Sequence, residues 1–558
     1  MFGKSNEMHP RHRLSRKLTL RGCAAAILAL SFAATPGLAS AATYYVDAAA
    51  GSDSAAGTST GTAWKTLAKV NATTFSAGDS ILFHTGQSWA GQLHPLGSGA
   101  SGSPITLSNY GGGALPLIDG SSLAGGGAIY LLNQGYWTID GFEVISNSGV
   151  NNVGATTPGT ARSGIWVDNN GGGTLAGITI RNNHVHNVNG CFICNGADAH
   201  NNGGIAVTDD LLNLAGWGTD SYNGVLIENN RVDHVGRTGI VFDDYSTGII
   251  ILVFYTFDPA SLSTNVTIRG NTVDTVDSDG IIIAGSQNNL MEHNVVGHAG
   301  LVTAGTAEPS SAGIWTAKSM NTVVQYNEAY DVHTHTTDGQ GFDADLRAYN
   351  TTFQYNYSHD NEGGFMLMEG GPNSGTGLVV RYNLSINDAW GGAKGVLNFA
   401  YGYVQNTSFY NNTIYIAAGL PSKLSFCEDQ SNTGDCSVSG FSGLNWNFRN
   451  NVIANFGTGS YSMPGGSTAS IDHNLFYGNH PAGEPADAYK LTTDPLFIAA
   501  SATAPYGIGS VSGYQVSSGS PATSSGALVS GNGGLDYFSR TVSATAAPTR
   551  GFYEIVNY

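Results

Sequence analysis

Apolar and polar residues alternate in ten short segments of the chain, and each segment ends on an asparagine. The segment Val266-Thr-Ile-Arg-Gly-Asn271 is one of them, with apolar side chains at Val266 and Ile268. An apolar residue at every second position predicts a β-strand with one buried face. The ten asparagines are Asn183, Asn230, Asn271, Asn294, Asn327, Asn356, Asn383, Asn412, Asn451 and Asn474.

Successive asparagines of this set are 23 to 47 residues apart, and two further strand patterns fill each interval. The second strand follows the asparagine, as at 231–235, and the third begins with a glycine, as in Gly280-Ile-Ile-Ile. A unit that recurs at roughly 20–50 residues indicates a repeat protein. Three strands per repeat without a helical period predict an all-β fold, a three-sheet parallel β-helix whose coils bury their interior by stacking.

Each asparagine is expected where the chain turns between two strands, because asparagine tolerates left-handed dihedral angles. On successive coils the side-chain amides can hydrogen-bond to each other along the axis. We therefore interpret the ten asparagines as structural and assign them no catalytic role.

Both ends of the chain resemble segments of known β-helix proteins. Residues 43–53 read Thr-Tyr-Tyr-Val-Asp-Ala-Ala-Ala-Gly-Ser-Asp, and residues 494–497 read Asp-Pro-Leu-Phe. Together with the repeats, they resemble the right-handed parallel β-helix proteins of the pectate lyase-like superfamily. The resemblance implies a secreted protein that acts on polysaccharides. It does not specify the reaction, because this superfamily includes lyases, hydrolases, epimerases and adhesins.

Residues 1–41 have the features of a secretory signal. Five basic residues between Arg11 and Arg21 precede an apolar run that begins at Cys23, and Ala39-Ser-Ala fits a cleavage site. We expect a secreted protein, extracellular or periplasmic, that does not span a membrane. The remainder divides into an N-terminal cap with the first coils (42–130), the repeats (131–480) and a C-terminal capping segment (481–558).

The chain is acidic, with 40 Asp and Glu against 22 Lys and Arg and a net charge of −18. Such a chain is a poor partner for nucleic acids and anionic membranes. A polyanionic glycan would also be a poor partner unless a cation mediates the contact. We expect a monomer whose partner is a polysaccharide or an oligosaccharide.

Four cysteines follow the signal segment and form two local pairs. Cys191 and Cys194 lie in the 47-residue interval between asparagines, and Cys427 and Cys436 lie in a 39-residue interval. An even number of cysteines in a secreted protein predicts disulfides. We predict the bridges Cys191–Cys194 and Cys427–Cys436, each closing a loop, in preference to a redox or zinc site.

In the strands that begin with a glycine, apolar residues occupy the same positions relative to that glycine. The first and third residues after the glycine are apolar in most of them, as at Phe365 and Leu367. The second and fourth residues are therefore predicted to point outward to solvent, because side chains alternate along a strand. In these strands, two outward carboxylates occur together at Asp343 and Asp345 alone.

Asp343 and Asp345 have the spacing of a catalytic carboxylate pair. Cα atoms two residues apart on one strand are separated by roughly 6.5–7 Å. Glycosidases use carboxylates about 5–5.5 Å apart for retention and about 6.5–9.5 Å apart for inversion, and side-chain rotamers leave both outcomes open. Asp338, in the turn before the strand, is a third candidate. We predict that these three aspartates form the catalytic set.

Further residues around the acidic strand suit a sugar site. Trp315 is predicted directly beside Asp343 on the preceding coil, where its exposed ring would form a platform for a sugar ring. The remaining candidates for substrate binding are Lys318, Arg347, His333, His335 and Glu369. His359, in contrast, is predicted to pack within the repeat.

Three functions are compatible with these residues. A glycoside hydrolase would use the aspartates as acid and as base or nucleophile and would require no cofactor. A calcium-dependent polysaccharide lyase would hold Ca²⁺ through Asp338, Asp343 and Asp345. Lys318 or Arg347 would then abstract the proton. The third alternative is a non-catalytic adhesin or glycan-binding protein, which a uniform repeat without the acidic strand would favour.

Overall fold

A computed structural model describes residues 40–149, 159–194, 199–209, 220–244, 259–302, 311–334, 338–370, 375–400, 405–428, 445–461 and 468–555. Residues 1–39 of the predicted signal segment, His335 and Cys436 lie outside these ranges. The helical elements of the described residues are a short α-helix and four 3-10 turns: Leu67–Asn71, Thr60–Thr62, Ala199–Asn201, Pro259–Ser261 and Ser512–Tyr514. None of the described helices has the length and apolar character needed to cross a lipid bilayer.

The described strands, numbered β1–β40 in chain order, form three sheets. Sheet 1 has 17 strands: β1 Thr43–Val46, β2 Ser80–His84, β4 Ile105–Tyr110, β7 Trp137–Asp140, β10 Thr174–Arg181, β13 Ser221–Glu228, β16 Ser263–Arg269, β19 Ser286–Gln287, β20 Leu290–Glu292, β23 Ser319–Met320, β24 Val323–Gln325, β27 Ala348–Tyr349, β28 Thr352–Gln354, β31 Val379–Arg381, β34 Thr407–Tyr410, β37 Asn445–Arg449 and β39 Thr468–Asp472.

Sheet 2 has 13 strands: β3 Ser88–Ala90, β5 Leu117–Asp119, β8 Glu143–Ser146, β11 His184–Val188, β14 Arg231–Val235, β17 Thr272–Val276, β21 Val295–Gly297, β25 Glu328–Tyr330, β29 Tyr357–His359, β32 Leu384–Ile386, β35 Thr413–Ile416, β38 Val452–Asn455 and β40 Leu475–Gly478. Sheet 3 has 10 strands: β6 Gly126–Leu132, β9 Arg162–Asn169, β12 Gly203–Asp209, β15 Thr238–Asp243, β18 Ile281–Ala284, β22 Ile314–Ala317, β26 Gln340–Ala344, β30 Gly364–Glu369, β33 Gly395–Ala400 and β36 Lys423–Glu428.

Each coil of the solenoid passes through sheets 1, 2 and 3 in turn. Strands β16, β17 and β18, for example, pair in parallel with β20, β21 and β22 of the following coil. The predicted three-sheet parallel β-helix is therefore confirmed.

Inward side chains form apolar columns along the solenoid. One column in sheet 3 contains Ile240, Ile281, Ile314 and Phe342, which pair in register and are fully buried. Burial of each such side chain contributes roughly 1.5–3 kcal/mol relative to exposure. A column exists only when coils are stacked, so the stability of one coil depends on its neighbours.

The ten asparagines of the repeats form one continuous ladder between sheets 1 and 2. Each Nδ2 donates to the Oδ1 of the asparagine on the next coil, at 3.0–3.1 Å. Each backbone N–H donates to the same oxygen, at 2.9–3.1 Å. The ladder ends at Asp487, whose Oδ2 accepts both donors of Asn474. All ten side chains are buried, so the predicted ladder is confirmed.

The left-handed residue at this corner is the one before the ladder asparagine. Asn182, Gly270 and Tyr326 occupy that place, with φ of 56°, 64° and 53°. The expectation that the ladder asparagines themselves supply the left-handed conformation is therefore wrong. Their N–H and amide groups bind the next coil, and the preceding residue makes the bend between the two strands.

A row of charged and polar side chains, the outer ladder of sheet 1, runs along that sheet at a single register position. In coil order its members are Asp140, Arg181, Glu228, Arg269, Glu292, Gln325, Gln354, Arg381, Tyr410, Arg449 and Asp472. Neighbours bind each other, as in the pairs Arg181–Asp140 at 2.9 Å and Arg269–Glu228 at 2.7 Å. Exposed ion pairs contribute about 0–1 kcal/mol each, so this row affects register more than stability.

The C-terminal segment 479–555 packs along the outer face of sheet 2. The hydroxyl group of Tyr357 donates to the carbonyl oxygen of Pro505 at 2.8 Å, and the N–H of Gly507 donates to Glu328 Oε1 at 2.7 Å. Aromatic side chains of the segment join a buried cluster on this face. The segment therefore covers the side of several coils, not the last coil alone.

Candidate functional site

Trp315 and Asp343 lie side by side on the outer face of sheet 3. Their Cα atoms pair in register between β22 and β26. Phe342 and Ala344, on either side of Asp343, are buried in the core, so Asp343 has the outward phase. Adjacent strands are about 4.8 Å apart, which places the indole ring and the carboxylate in neighbouring positions, as the sequence predicts.

The other two aspartates flank β26. Asp345 directly follows the strand, is half-buried, and its backbone N–H donates to the carbonyl oxygen of Thr316 at 3.0 Å. The carboxylate of Asp345 accepts a hydrogen bond from the N–H of Leu346. Asp338 precedes the strand with φ of 65° and forms a parallel bridge with Ser311. The strand β26 and the residues that flank it thus carry three carboxylates, of which Asp343 is the most buried, at 5% exposure.

The predicted cationic residues lie at the corner that follows Asp345. The backbone N–H of Lys318 donates to the carbonyl oxygen of Leu346 at 2.8 Å, and that of Ser319 donates to Arg347 at 3.1 Å. Glu369, half-buried at the end of β30, is one residue beyond the Ala344–Met368 pair and is therefore level with Asp345. The structure brings these candidates to one end of the acidic strand.

His333 is on the other side of the acidic strand, near sheet 2. Its ring nitrogens lie 3.3 Å from Asp331 and 3.3 Å from Glu362, and Trp390 approaches the ring edge-on at 6.0 Å. These contacts place His333 between two carboxylates at the corner from sheet 2 to sheet 3, and give no contact with the three aspartates. The second predicted histidine, His335, lies outside the described residues.

His359 packs inside the structure, as predicted. It is fully buried, and its ring nitrogens lie 3.2 Å from Glu328 and 3.0 Å from Asp360. Burial alone would lower its pKa, but the hydrogen bonds and charges of Asp360 and Glu328 raise the pKa above the usual value.

The outer face of sheet 3 is not open to solvent before the acidic strand, contrary to expectation. Ala206, Val241, Ile282, Ala284 and Ala317 all point outward, yet they form a cluster that is at most 5% exposed. Trp166 and Trp315 pack against this cluster from its two ends. The reason is the apolar character of the outward positions themselves, which makes exposure to water unfavourable.

The predicted phase of β30 is wrong by one residue. Met366 pairs with Phe342, and Leu367 pairs with Asp343. Met366 and Met368 are therefore the inward residues, and both are fully buried. Consecutive apolar residues in this strand leave its phase undefined by sequence alone, and the register of the structure turns the two methionine side chains inward. The neighbour of Asp343 on the following coil is consequently Leu367.

Gln340, at the start of β26, was not predicted as a site residue. It is fully buried, and neither its Nε2 nor its Oε1 hydrogen-bonds to any described residue. Burying an amide without partners is unfavourable, and such groups are rare in native proteins. Gln340 precedes Asp343 by three positions on the same strand.

The residues that hold Trp315 were also missed. The indole Nε1 donates to Asp279 Oδ1 at 3.0 Å, and Arg237 lies 3.2 Å from the other oxygen of Asp279. Asp279 is 36 residues before Trp315, so the strand pattern gives no sign of this contact.

One of the two predicted disulfides lies within the described residues. Cys191 and Cys194 are bonded, with Cα atoms 5.6 Å apart, and this prediction is confirmed. The predicted partner of Cys427, Cys436, lies outside the described residues, so the bridge Cys427–Cys436 stays a prediction.

The calcium-binding arrangement of the lyase alternative is not seen in the described part of the chain. No three or more His, Cys, Asp or Glu side chains there are arranged to share a metal ion. Asp338, Asp343 and Asp345 extend along the strand from one end to the other, and carboxylates that share Ca²⁺ must converge to within about 2.6 Å of it. The three aspartates do not fit one calcium ion in this conformation.

Comparison with known proteins supports the fold. The family described as right handed beta helix region matches residues 215–414. A lacto-N-biosidase of Bifidobacterium longum subsp. longum is 28% identical over 452 residues, which cover 67% of this chain and 27% of that protein. The chain therefore spans little more than a quarter of the length of this curated relative.

Two crystal structures of a GH136 lacto-N-biosidase from Eubacterium ramulus are similar to the chain. The native structure has a TM-score of 0.55 and 22% identity, and covers 77% of this chain and 68% of that one. The selenomethionine derivative has a TM-score of 0.56 and 21% identity, with coverage of 77% and 67%. At this level of identity, the likeness concerns the fold. The chain is a right-handed parallel β-helix protein.

Proposed function

We propose that the chain is a glycoside hydrolase that cleaves a polysaccharide or an oligosaccharide on the outer face of sheet 3. The observation that carries the proposal is the register of Trp315 beside Asp343, on a strand flanked by two further aspartates. An aromatic ring next to paired carboxylates suits both sugar binding and glycosidic bond cleavage. The similarity to lacto-N-biosidases, which are glycosidases by name, supports the same class of reaction.

Asp343 and Asp345 would perform the proton transfers. One carboxylic acid protonates the oxygen of the leaving group, and the other carboxylate attacks the anomeric carbon or activates a water molecule. The reaction needs one of the two carboxyl groups in its protonated form and the other in its ionised form. Asp338, in the turn before β26, would assist them.

The surrounding polar residues would bind sugar hydroxyl groups. Lys318, Arg347 and Glu369 lie at the corner next to Asp345 and would contact one side of the substrate. His333 would contact the other side, and the sequence places His335 near it. We further propose that the protein is secreted, acts as a monomer and needs no cofactor, in keeping with its signal segment and its acidic composition.

The test is a screen of the purified chain, without residues 1–41, against neutral and uronic-acid polysaccharides and a nitrophenyl lacto-N-bioside, with and without EDTA. New reducing ends or released nitrophenol, unaffected by EDTA, are the expected result. Products with the ultraviolet absorbance of an unsaturated uronate, lost in EDTA, would identify a lyase instead. Glycan binding without any cleavage would identify an adhesin.

A further inference from the structure

Trp315 is anchored at its polar end. Its indole Nε1 donates to Asp279 Oδ1 at 3.0 Å, and the backbone N–H of Ala312 donates to the same oxygen at 3.2 Å. The side chain of Trp315 also packs against the apolar cluster of the outer face. The ring of His200 approaches it edge-on, with centroids 5.6 Å apart.

Asp279 is itself held firmly from its other oxygen. Ser278 donates to Oδ2 at 3.0 Å, and Arg237 Nη1 lies 3.2 Å from it. His200 Nδ1 lies 3.2 Å from the same oxygen. Asp279 and Arg237 are at most 1% exposed, so water does not compete for these contacts.

Asp279 is an ionised acceptor. Burial by itself would raise its pKa, but the hydrogen bond and charge of His200 and the charge of Arg237 bring the pKa below the usual value. A hydrogen bond to a charged acceptor is stronger and more directional than one between neutral groups. The indole ring is therefore fixed in orientation, not merely packed.

We propose that Asp279 is a positioning residue for glycan binding, because it fixes the indole of Trp315 beside Asp343. This inference rests on the proposed function and deepens it. Arg237 and His200, which lie on earlier coils, keep Asp279 in place. An aromatic platform binds a sugar ring best when its orientation is set before binding, because no ordering then has to accompany association.

The chain contains a matched control for this bond. Trp166 lies at the other end of the same apolar cluster, four coils before Trp315 in sheet 3, and its Nε1 donates to Thr208 Oγ1 at 2.9 Å. Thr208→Val removes the acceptor of Trp166, and Asp279→Asn removes the charge from the acceptor of Trp315. The control perturbs an equivalent bond far from the acidic strand.

The experiment compares Asp279→Asn, Trp315→Phe, their double variant and Thr208→Val on a substrate that the wild type cleaves. We expect Asp279→Asn to raise KM about tenfold, because a neutral acceptor replaces the charged one, with kcat within about twofold. Trp315→Phe should raise KM similarly, and the double variant should add little to either, because both changes remove the same interaction. Thr208→Val should leave KM unchanged. Additive effects in the double variant, or an unchanged KM in Asp279→Asn, would overturn the proposal.

A second measurement does not depend on activity. The emission of Trp315 is obtained by subtracting the emission of Trp315→Phe from that of the wild type. For the protein with Asp279→Asn, the emission of the double variant is subtracted from that of Asp279→Asn. We expect easier acrylamide quenching of Trp315 when Asp279 is replaced, and no change with Thr208→Val. If the quenching of Trp315 is unchanged, the positioning role of Asp279 is refuted, whether or not a glycan is cleaved. If the quenching changes but no glycan is cleaved, only the proposed function is refuted.

His200→Ala serves if Asp279→Asn fails to fold. The side chain of His200 is 32% exposed, and its removal leaves the buried carboxylate of Asp279 paired with Arg237. It should produce the same changes in KM and quenching with a smaller amplitude. No change in either quantity in a folded His200→Ala protein would contradict the role of this group.

Discussion

Trp315 and Asp343 occupy equivalent positions on consecutive coils, with an indole on one strand and a carboxylate directly beside it on the next. The pair marks the place where the outer face of sheet 3 changes from apolar to acidic. On one side lies the cluster that includes Ile282 and Ala317, and on the other lie Asp343 and Asp345. This boundary is where a sugar could stack on a ring and meet a carboxylate at the same time.

Replacement of either central aspartate should abolish cleavage. Asp343→Asn and Asp345→Asn each remove a proton-transfer group, whose contribution in other enzymes is about 10²–10⁴-fold. We expect kcat on the nitrophenyl substrate or the best glycan to fall by about that factor, with little change in the midpoint of thermal unfolding. Asp168→Asn, on an outward position of β9, is the control and should retain activity. Full activity in both test variants would place the catalytic site elsewhere.

Substitution of an asparagine in the middle of the ladder should lower the stability of the protein. Asn327 receives two hydrogen bonds from Asn294 and donates two to Asn356, all within the protein. Asn327→Ala leaves buried donors without partners, and we expect the free energy of unfolding to fall by about 2–5 kcal/mol in urea titrations. Asn445→Ala, which removes an exposed side chain at the start of β37, should cost less than about 1 kcal/mol. Equal effects of the two substitutions would contradict the role of the ladder.

Asp388 should make stability depend on pH. It is fully buried, and burial raises its pKa to about 6 despite hydrogen bonds from Ser385 and Asn361. Because this value is above that of the unfolded chain, the resulting stabilisation is complete below pH about 4 and is lost as pH rises through about 6.

Asp388→Asn keeps an oxygen for Asn361 and offers an N–H to Ser385, without the ionisable proton. The difference in unfolding free energy between variant and wild type should therefore change by up to about 3 kcal/mol between pH 4 and pH 7. Urea titrations at four pH values would measure it. A constant difference would mean that Asp388 does not titrate in this range.

Gln340 should be a site where an apolar residue improves stability. Both polar atoms of its buried amide make no hydrogen bond to a described residue. Gln340→Met retains the length of the side chain and removes these groups, so we expect the free energy of unfolding to rise by about 1–3 kcal/mol. Gln354→Met is the comparison, because Gln354 binds Gln325 and Arg381 and should not gain stability. A loss of stability in Gln340→Met would show that the amide is satisfied in the folded protein.

The fold and part of the site follow from local sequence patterns. The ladder is predictable because one amide recurs after the same alternating strand, and its bonds connect equivalent positions. The neighbour relation of Trp315 and Asp343 is predictable because β22 and β26 share one apolar phase. In β30 this signal fails, since the residues from Phe365 to Met368 are all apolar and fit either phase.

The anchoring of Trp315 could not be predicted, for a different reason. Asp279 is 36 residues before Trp315 in the sequence. It lies in the turn before β18, where the alternation of side chains along a strand does not define their direction. The burial of the apolar cluster on the outer face of sheet 3 could not be predicted either. An alternating pattern distinguishes the two faces of a strand but does not show whether the outer face is covered. Register is a property of paired strands, whereas the bond between Trp315 and Asp279 joins a strand to the turn before the neighbouring strand.

The outer ladder of sheet 1 constrains how the number of coils can change in evolution. From Asp140 to Glu292 its members alternate in charge, so loss of the coil that carries Arg269 would bring Glu228 against Glu292. Like charges on facing strand positions are destabilising. The uncharged pair Gln325 and Gln354 imposes no such alternation. At that point a coil can be added without opposing charges being lost, and the solenoid can lengthen there.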